Sequence, residues 1–467
     1  MHSLSARRVL SACAISAASV AALLAPSAAS AKGVPPACTN GANITGQGSS
    51  LQAPEQINVW TKEFNIVSSK DFGCPGTPGT PGAPEVKYTS SGSGTGLKSW
   101  GAEAPTETEP FVGFAPTNAF IATDEPPNET QLANLDTEET VESEGAESVE
   151  TIPVAQAAAA LVIHLPTGCS ANSTAAAGRL SLDDEDLKKI YEGTDTTWGQ
   201  LTDGGDTISG TDTATSQPCG EVPISVVVRL DGSGTTHIVK RFLGQLDPST
   251  KLTIPSTEGK TEATWGELSE GGLNKTWPTA TKVVVSKVKG GGGLAEEVNK
   301  VEGSIGYLNL FEARAKGFAP ASATKFWAVV QNTEKKGKAT YSDPSTGEAD
   351  KTTTQQSSNC SKEDYVVAGT DTTFPPEDTL VPWDKVTTNI SEKKSYALCG
   401  LTYVVAFRNY HAVPGTTKAE EETVKQYEQF ITSKKGGQTE LSGKDFLALP
   451  SNVLGEADAG TAELEYS

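Results

Sequence analysis

An uninterrupted β-branched run, Ile224 to Val228, passes directly into Arg229-Leu230-Asp231-Gly232-Ser233-Gly234-Thr235-Thr236, with the helical pattern Ile238 to Leu243 behind it. Few local structures accept that order: it reads as a buried strand that breaks into a glycine-rich turn and opens a helix. Such a turn aims the free N–H groups at the positive end of the helix dipole, and the hydroxyls of Ser233 and Thr235, at one spot beside Arg229. A small, multiply charged oxyanion suits this donor set. An ordinary strand-to-helix turn also uses glycine for its backbone angles, so two further segments of the same chemistry decide the weight of the first.

The chain of 467 residues is long enough for two domains with substantial cores, while its 46 glycines imply many loops. Residues 1–31 read as an export signal: Arg7 and Arg8 make a basic start, Val9 to Leu24 is apolar, and Ala29-Ser30-Ala31 forms a small-residue cleavage pattern before Lys32. Leu10-Ser11-Ala12-Cys13 imitates a lipoprotein cleavage site, but too little apolar sequence precedes Cys13. No later run reaches the roughly 18 apolar residues of a membrane span. The mature chain is therefore expected to be exported, to the periplasm, the medium or the cell surface, with no transmembrane segment. Its formal charge is −21, and removal of the signal makes it more negative. Nucleic acid and anionic membranes are poor partners for such a surface. A local anion site remains compatible with it, because surface carboxylates are screened within about 8 Å at physiological salt.

Once Cys13 leaves with the signal, six cysteines remain: Cys38, Cys74, Cys169, Cys219, Cys360 and Cys399. An even count in an exported chain reads as disulfides. Each sequence-adjacent pair brackets one loop-like insertion, which favours Cys38 with Cys74, Cys169 with Cys219 and Cys360 with Cys399. A metal site has little support. No spacing is C-x-x-C, and the mature chain carries only His164, His237 and His411, with no H-E-x-x-H.

Ordered segments alternate with four low-complexity ones: residues 73–84 with repeated Pro-Gly-Thr, the acidic residues 129–150 with a short helical pattern at Gln131 to Leu135, and the polar residues 202–218 and 332–359. These read as surface decorations. Between them lie apolar strands and amphipathic helices, among them Val86 to Ser90, Val154 to Leu165, Leu182 to Tyr191, Lys282 to Val288, Ile305 to Leu310, Lys325 to Gln331, Leu401 to Phe407 and Thr423 to Ser433. The mixture predicts an α/β fold.

The second segment is Gly46-Gln47-Gly48-Ser49-Ser50-Leu51-Gln52-Ala53-Pro54, followed by the helical spacing Ile57, Trp60, Phe64. The third is Tyr88-Thr89-Ser90-Ser91-Gly92-Ser93-Gly94-Thr95-Gly96-Leu97-Lys98, a strand that breaks into glycines and continues as a helix through Trp100. Neither holds a G-x-x-x-x-G-K-[ST] phosphate loop, and no serine in them has glycine both two residues before and two residues after it, as a nucleophile elbow requires. Taken with Phe120-Ile121-Ala122-Thr123-Asp124-Glu125-Pro126 and Arg229 to Thr235, these segments resemble, in the same order, the substrate-binding protein of the high-affinity phosphate ABC importer. The resemblance spans roughly residues 41–455. It departs at Ser50, where the family has Thr, at Leu51 for Phe, at Gln52 for Pro, and in its insertions and cysteines.

The resemblance implies a two-lobed periplasmic-binding-protein fold of type II, with a ligand cleft between lobes and surface insertions. Lobe one would hold residues 41–158 and 396–467, lobe two residues 159–395. The family's ligand contacts fall on Ser50, the backbone N–H of Leu51, Ser93, Asp124, Arg229, Ser233, Gly234 and Thr235, with Asp231 holding the arginine. The ligand would be inorganic phosphate, handed to a membrane ABC permease by a monomeric receptor without cofactor or catalytic activity. Asp124 would favour phosphate over sulfate, since a buried carboxylate only accepts and a protonated phosphate oxygen supplies the hydrogen. Two other functions stand beside this one: a secreted phosphate-handling enzyme, with His237 as its candidate base, and an acidic cell-wall or adhesion protein.

Overall fold

Eight strands carry the main sheet: β1 (Ile44–Gly48), β2 (Val86–Ser90), β3 (Phe120–Thr123), β4 (Val149–His164), β5 (Ser225–Arg229), β6 (Val284–Val288), β7 (Ser304–Asn309) and β8 (Cys399–Phe407). Their spatial order is β6-β5-β7-β4-β8-β3-β1-β2, and the short strands Lys325–Trp327 and Phe446–Leu447 also pair with β4. The computed structural model describes residues 36–66, 73–102, 117–138, 149–173, 178–201, 207–279, 284–335, 338–345, 358–360, 365–367, 382–388, 395–413, 415–441 and 444–465. The expected export signal and Cys13 lie outside the described residues.

The sheet has two parallel triplets, β2-β1-β3 and β7-β5-β6, joined through two strands that cross between them. β4 and β8 run antiparallel to each other, from Cys399 opposite Ala158 to Phe407 opposite Val149. β8 is also antiparallel to β3, and β4 to β7. The composition of β4 explains its central place: from Ile152 to His164 every residue is buried, and Ala157 to Ala160 are small enough for both faces to be covered closely. Parallel strands need crossover connections, and helices supply them.

Five helices matter for the site: α1 (Ser93–Ser99), α2 (Glu129–Glu138), α3 (Gly234–Leu246), α4 (Gly290–Lys300) and α5 (Lys418–Thr432). Residues 53–63 are also helical, with a wider turn over Gln56–Trp60. Ser233 caps α3 by accepting from the Thr236 N–H, and Thr417 with Glu420 forms a capping box on α5. Trp100 stacks on Phe407 at 3.9 Å between ring centroids, fastening the end of α1 to β8. Trp277 lies against Tyr191 and Tyr307, and the buried Lys240 ammonium sits 4.3 Å from its ring centroid.

The α/β class and the apolar strands follow the sequence closely. Three decorations differ from expectation. Val149 and Glu150 already belong to β4, so the acidic stretch ends inside the sheet, and the helix there runs over all of Glu129–Glu138. In the other polar stretches, Thr207–Gly210 pairs with Cys169–Asn172, and Val329–Lys335 with Lys338–Ser342. Alternating Thr, Tyr and Ser side chains suit half-exposed strands. The cysteines join as Cys38–Cys74, Cys169–Cys219 and Cys360–Cys399, with Cα separations of 5.1, 5.6 and 5.8 Å. Among the described residues, no helix is long and apolar enough to cross a membrane.

Candidate functional site

The three glycine-rich segments converge at the carboxyl ends of β1, β2 and β5, with Asp124 one residue past the end of β3. Open α/β sheets bind ligands at that edge, where strands hand over to helix starts. The Ser91 and Gly92 N–H groups both donate to the Gly48 carbonyl, at 2.9 and 2.7 Å, which holds the second and third segments together. Across from them, the Gly94 N–H donates to the Gly232 carbonyl at 3.3 Å. Glycine is required at this crossing: a side-chain carbon on Gly94 would lie 2.9 Å from the Gly232 Cα.

Asp124 is buried and is the most heavily bonded group in the site. Ser49 Oγ lies 2.7 Å from both carboxylate oxygens, Thr402 Oγ1 donates to Oδ1 at 2.7 Å, and Ser93 Oγ to Oδ2 at 3.3 Å. Burial pushes its pKa above the ordinary carboxylate value, while the hydrogen bonds from Ser49, Thr402 and Ser93 and the charge of Arg229 oppose the rise. The carboxylate faces the start of α3 so closely that a Cβ on Gly234 would sit 2.4 Å from Oδ2.

The α3 start has four N–H groups without intrahelical partners. The Ser233 N–H donates to Asn274 Oδ1 at 2.8 Å, and the Thr236 N–H to Ser233 Oγ at 3.2 Å. The N–H groups of Gly234 and Thr235 are the two left. Asn274 also donates to the Ser233 and Ser269 carbonyls, so it wraps the cap rigidly.

Arg229 is almost wholly buried. Its Nε donates to Asp231 Oδ1 at 2.8 Å, its Nη2 to Asp231 Oδ2, and its Nη1 to Ser50 Oγ at 3.3 Å. Burial alone would lower the guanidinium pKa, but the Asp231 carboxylate holds it raised. Burial likewise works against ionised Asp231, and the two hydrogen bonds and charge of Arg229 overcome it, leaving that carboxyl below its usual value. Asp231 also accepts from the Gly290 N–H at the start of α4, at 3.2 Å. Behind the arginine, Tyr307 accepts from the Arg229 N–H at 3.1 Å and is bonded to Thr236 Oγ1 at 2.7 Å. Glu312, beyond Arg229, accepts from Asn309 Nδ2 at 3.0 Å and is packed against Gly291.

His237 lies on α3, beneath the site. Its Nδ1 is bonded to the Ser269 carbonyl at 3.0 Å, and burial, with Arg241 nearby, pushes its pKa down to about 3. It is therefore neutral at any ordinary pH and donates from Nδ1. Among the described residues, no three His, Cys, Asp or Glu side chains gather as a metal would need.

A strand-edge cleft of this kind agrees with what sequence comparison finds: residues 77–435 match the model of a PBP superfamily domain. The chain belongs to the PBP superfamily. Its fold is the two-lobed α/β binding-protein architecture of solved relatives. A phosphate-binding protein from Stenotrophomonas maltophilia is 18% identical, with 90% of this chain and 93% of that one aligned at a TM-score of 0.55. An ancestral soluble variant of the human phosphate-binding protein is 19% identical over 88% of this chain and 92% of that one, at 0.54. The high-affinity periplasmic phosphate-binding protein PfluDING, solved with phosphate bound, is 18% identical over 89% and 93%, at 0.52. No curated protein sequence matches the chain.

In this PBP domain the residues expected to form the site do come together: Ser50, Ser93, Asp124, Arg229, Ser233, Gly234 and Thr235 border one another, and Leu51 follows Ser50 with its side chain in the core. Asp231 holds Arg229 as expected. Ser49, Gln52, Asn274, Tyr307, Thr402 and Glu312 escaped the sequence reading. Ser49 stood beside the expected Ser50, and Gln52 stood out only as a departure from the family's proline. Thr402 gave no signal, because it sits inside an apolar strand run.

Proposed function

We propose that this protein is an exported receptor that captures inorganic phosphate between two lobes and delivers it to an ABC permease. The lobes are residues 41–158 with 396–467, and residues 159–395, hinged on β4 and β8. In support, one parallel triplet of the sheet comes entirely from the first set and the other from the second. The observation that carries the reading is the pairing of a buried acceptor, Asp124, with a helix start and a buried arginine. Gly234 and Thr235 N–H, the hydroxyls of Ser50, Ser233 and Thr235, the Leu51 N–H and Arg229 supply donors to a dianion, while Asp124, with Ser93 donating to it at the edge of the site, takes a hydrogen that only a protonated oxyanion brings. Closure of the lobes completes that shell, so binding and closure are one event.

The naming of similar structures for phosphate supports the same ligand. Three disulfides fit an oxidising compartment outside the cytoplasm. A receptor rather than an enzyme is favoured by His237, which is neutral, buried and committed to Ser269, and so offers no base to a bound phosphate. Calorimetric titration of phosphate, arsenate and sulfate tests the reading. Phosphate and arsenate are expected to bind well ahead of sulfate, and Arg229→Ala to weaken phosphate by at least about thirtyfold without unfolding the chain. Equal binding of sulfate, or wild-type affinity in the arginine variant, would overturn it.

A further inference from the structure

A buried chain of side-chain hydrogen bonds runs from α5 to Asp124, and its direction is fixed at one point. Gln52 Nε2 lies 2.7 Å from Thr402 Oγ1 and 3.1 Å from the Tyr403 carbonyl oxygen. A backbone carbonyl can only accept, so the amide nitrogen of Gln52 must face that side. Gln52 Oε1 then faces Gln56 and accepts from its Nε2 at 2.8 Å. Gln56 Oε1 in turn accepts from the Tyr427 hydroxyl at 2.6 Å. Gln52, Gln56, Thr402 and Tyr427 are all inaccessible to solvent, so water cannot reverse any of these bonds.

The consequence reaches the carboxylate. Thr402 Oγ1 already accepts from Gln52, and its one hydrogen points to Asp124 Oδ1 at 2.7 Å, the alternative acceptor being the Thr123 carbonyl at a longer 3.4 Å. Ser49 Oγ accepts from the backbone N–H of the same Gln52 at 2.9 Å, which frees its hydrogen for Asp124. Ser93 Oγ accepts from the Asp124 N–H at 3.2 Å and returns its hydrogen to Oδ2. Each of three hydroxyls has a fixed donor behind it, and Gln52 provides two of those donors.

We infer that Gln52 and Thr402 are positioning residues for specificity: they orient the hydroxyls around Asp124 so that the carboxylate can only accept, and the ligand facing it must bring its own hydrogen. The inference rests on the phosphate reading above and adds to it the device that enforces discrimination against fully ionised oxyanions. Neither residue touches the ligand. Gln52 occupies a position where the family carries proline, which has no donor to give, so this polarising arrangement is a feature of this chain's own sequence.

The test compares phosphate and sulfate affinities in the full chain by competition calorimetry, across pH 5 to 8, for the wild type, Thr402→Val, Thr402→Ser, Gln52→Met and Asp124→Asn, with thermal unfolding run alongside. Thr402→Val keeps the shape and removes the hydroxyl. It is expected to lower the phosphate-to-sulfate ratio about fivefold and to move the acid limb of phosphate binding to higher pH, since Asp124 loses one stabilising donor. Gln52→Met is expected to lower the ratio in the same direction, and Thr402→Ser to restore it. A merely structural role would shift the unfolding temperature and leave ratio and acid limb alone. A ratio unchanged in Thr402→Val and Gln52→Met, while Asp124→Asn lowers it, overturns this inference and leaves the phosphate reading standing. A wild type without preference for phosphate overturns that reading first.

Discussion

Glu312 shows how one buried carboxyl in this site ties stability to pH. Burial raises its pKa to about 7, with the Asp124 charge adding to the rise and Arg229, Lys316 and the Asn309 hydrogen bond opposing it. In the unfolded chain the group returns to near 4.5, so between about pH 4.5 and 7 the folded state holds the proton more tightly. Stability therefore falls as pH rises through that window, and the loss is complete above it. Glu312→Gln keeps an acceptor for Asn309 and removes the charge. Its unfolding temperature should exceed that of the wild type at pH 8 and approach it at pH 5, a difference on the order of 2–3 kcal/mol. A constant offset between the two proteins at both pH values would show that Glu312 does not titrate there. Asp231 behaves in the opposite sense, because its partner is a fixed cation in bidentate contact, which holds the carboxylate ionised.

At the scale of an element, the start of α3 is where local sequence and long-range packing meet. Ser233 caps the helix from within its own segment, as spacing alone suggests, and Asn274 takes the Ser233 N–H from forty-one residues away. Gly234 is required for a reason the helix itself does not contain. A methyl there would lie 2.2 Å from Asp124 Cβ, on a backbone otherwise free to carry alanine. Gly234→Ala should push the Asp124 segment away from α3, cost about 1–3 kcal/mol of stability, and weaken phosphate binding more than tenfold. Thermal unfolding and calorimetry on the same sample would check both effects, and unchanged affinity would separate Asp124 from the binding edge. Lys240, one and a half turns further along α3, donates to the Asn274 and Thr276 carbonyls at 2.6 Å, which fixes the segment that carries Asn274.

In the whole molecule, residues 34–467 form one compact unit, in which β4 and β8, paired with one register shift at Thr402 and Tyr403, run between the two parallel triplets. The disulfides have all six of their cysteines buried in its core. They close loops of 36, 50 and 39 residues, and each is expected to contribute about 4 kcal/mol by constraining the unfolded chain. Thiol counting on the unreduced mature protein should find essentially no free cysteine, and reduction should release six while lowering the unfolding temperature. Two or more reactive thiols before reduction would contradict the pairing. Cys360–Cys399 ties residues 358–360 to the first residue of β8, so its loss should be felt first at the start of that strand.

What the sequence determined by itself is local. The run Ile224 to Val228 before Arg229-Leu230-Asp231-Gly232-Ser233-Gly234 dictates strand, turn and helix, since β-branching, glycine and a capping hydroxyl act within a few residues of one another. Cysteine pairs around insertions and an aspartate just past an apolar strand were legible for the same reason. Ile44-Thr45-Gly46-Gln47-Gly48 was not legible as a strand, because its one large apolar residue gives no period; β1 exists because β2 and β3 pair on either side of it. The tertiary structure alone decided which oxygen meets which hydrogen around Asp124. Gln52 and Thr402 are 350 residues apart, and the direction of their hydrogen bond depends on a backbone carbonyl that β8 brings alongside only when the sheet is complete. Residue type records the capacity to donate or accept, whereas the partner, and so the sign of the bond, is set by the order of the strands.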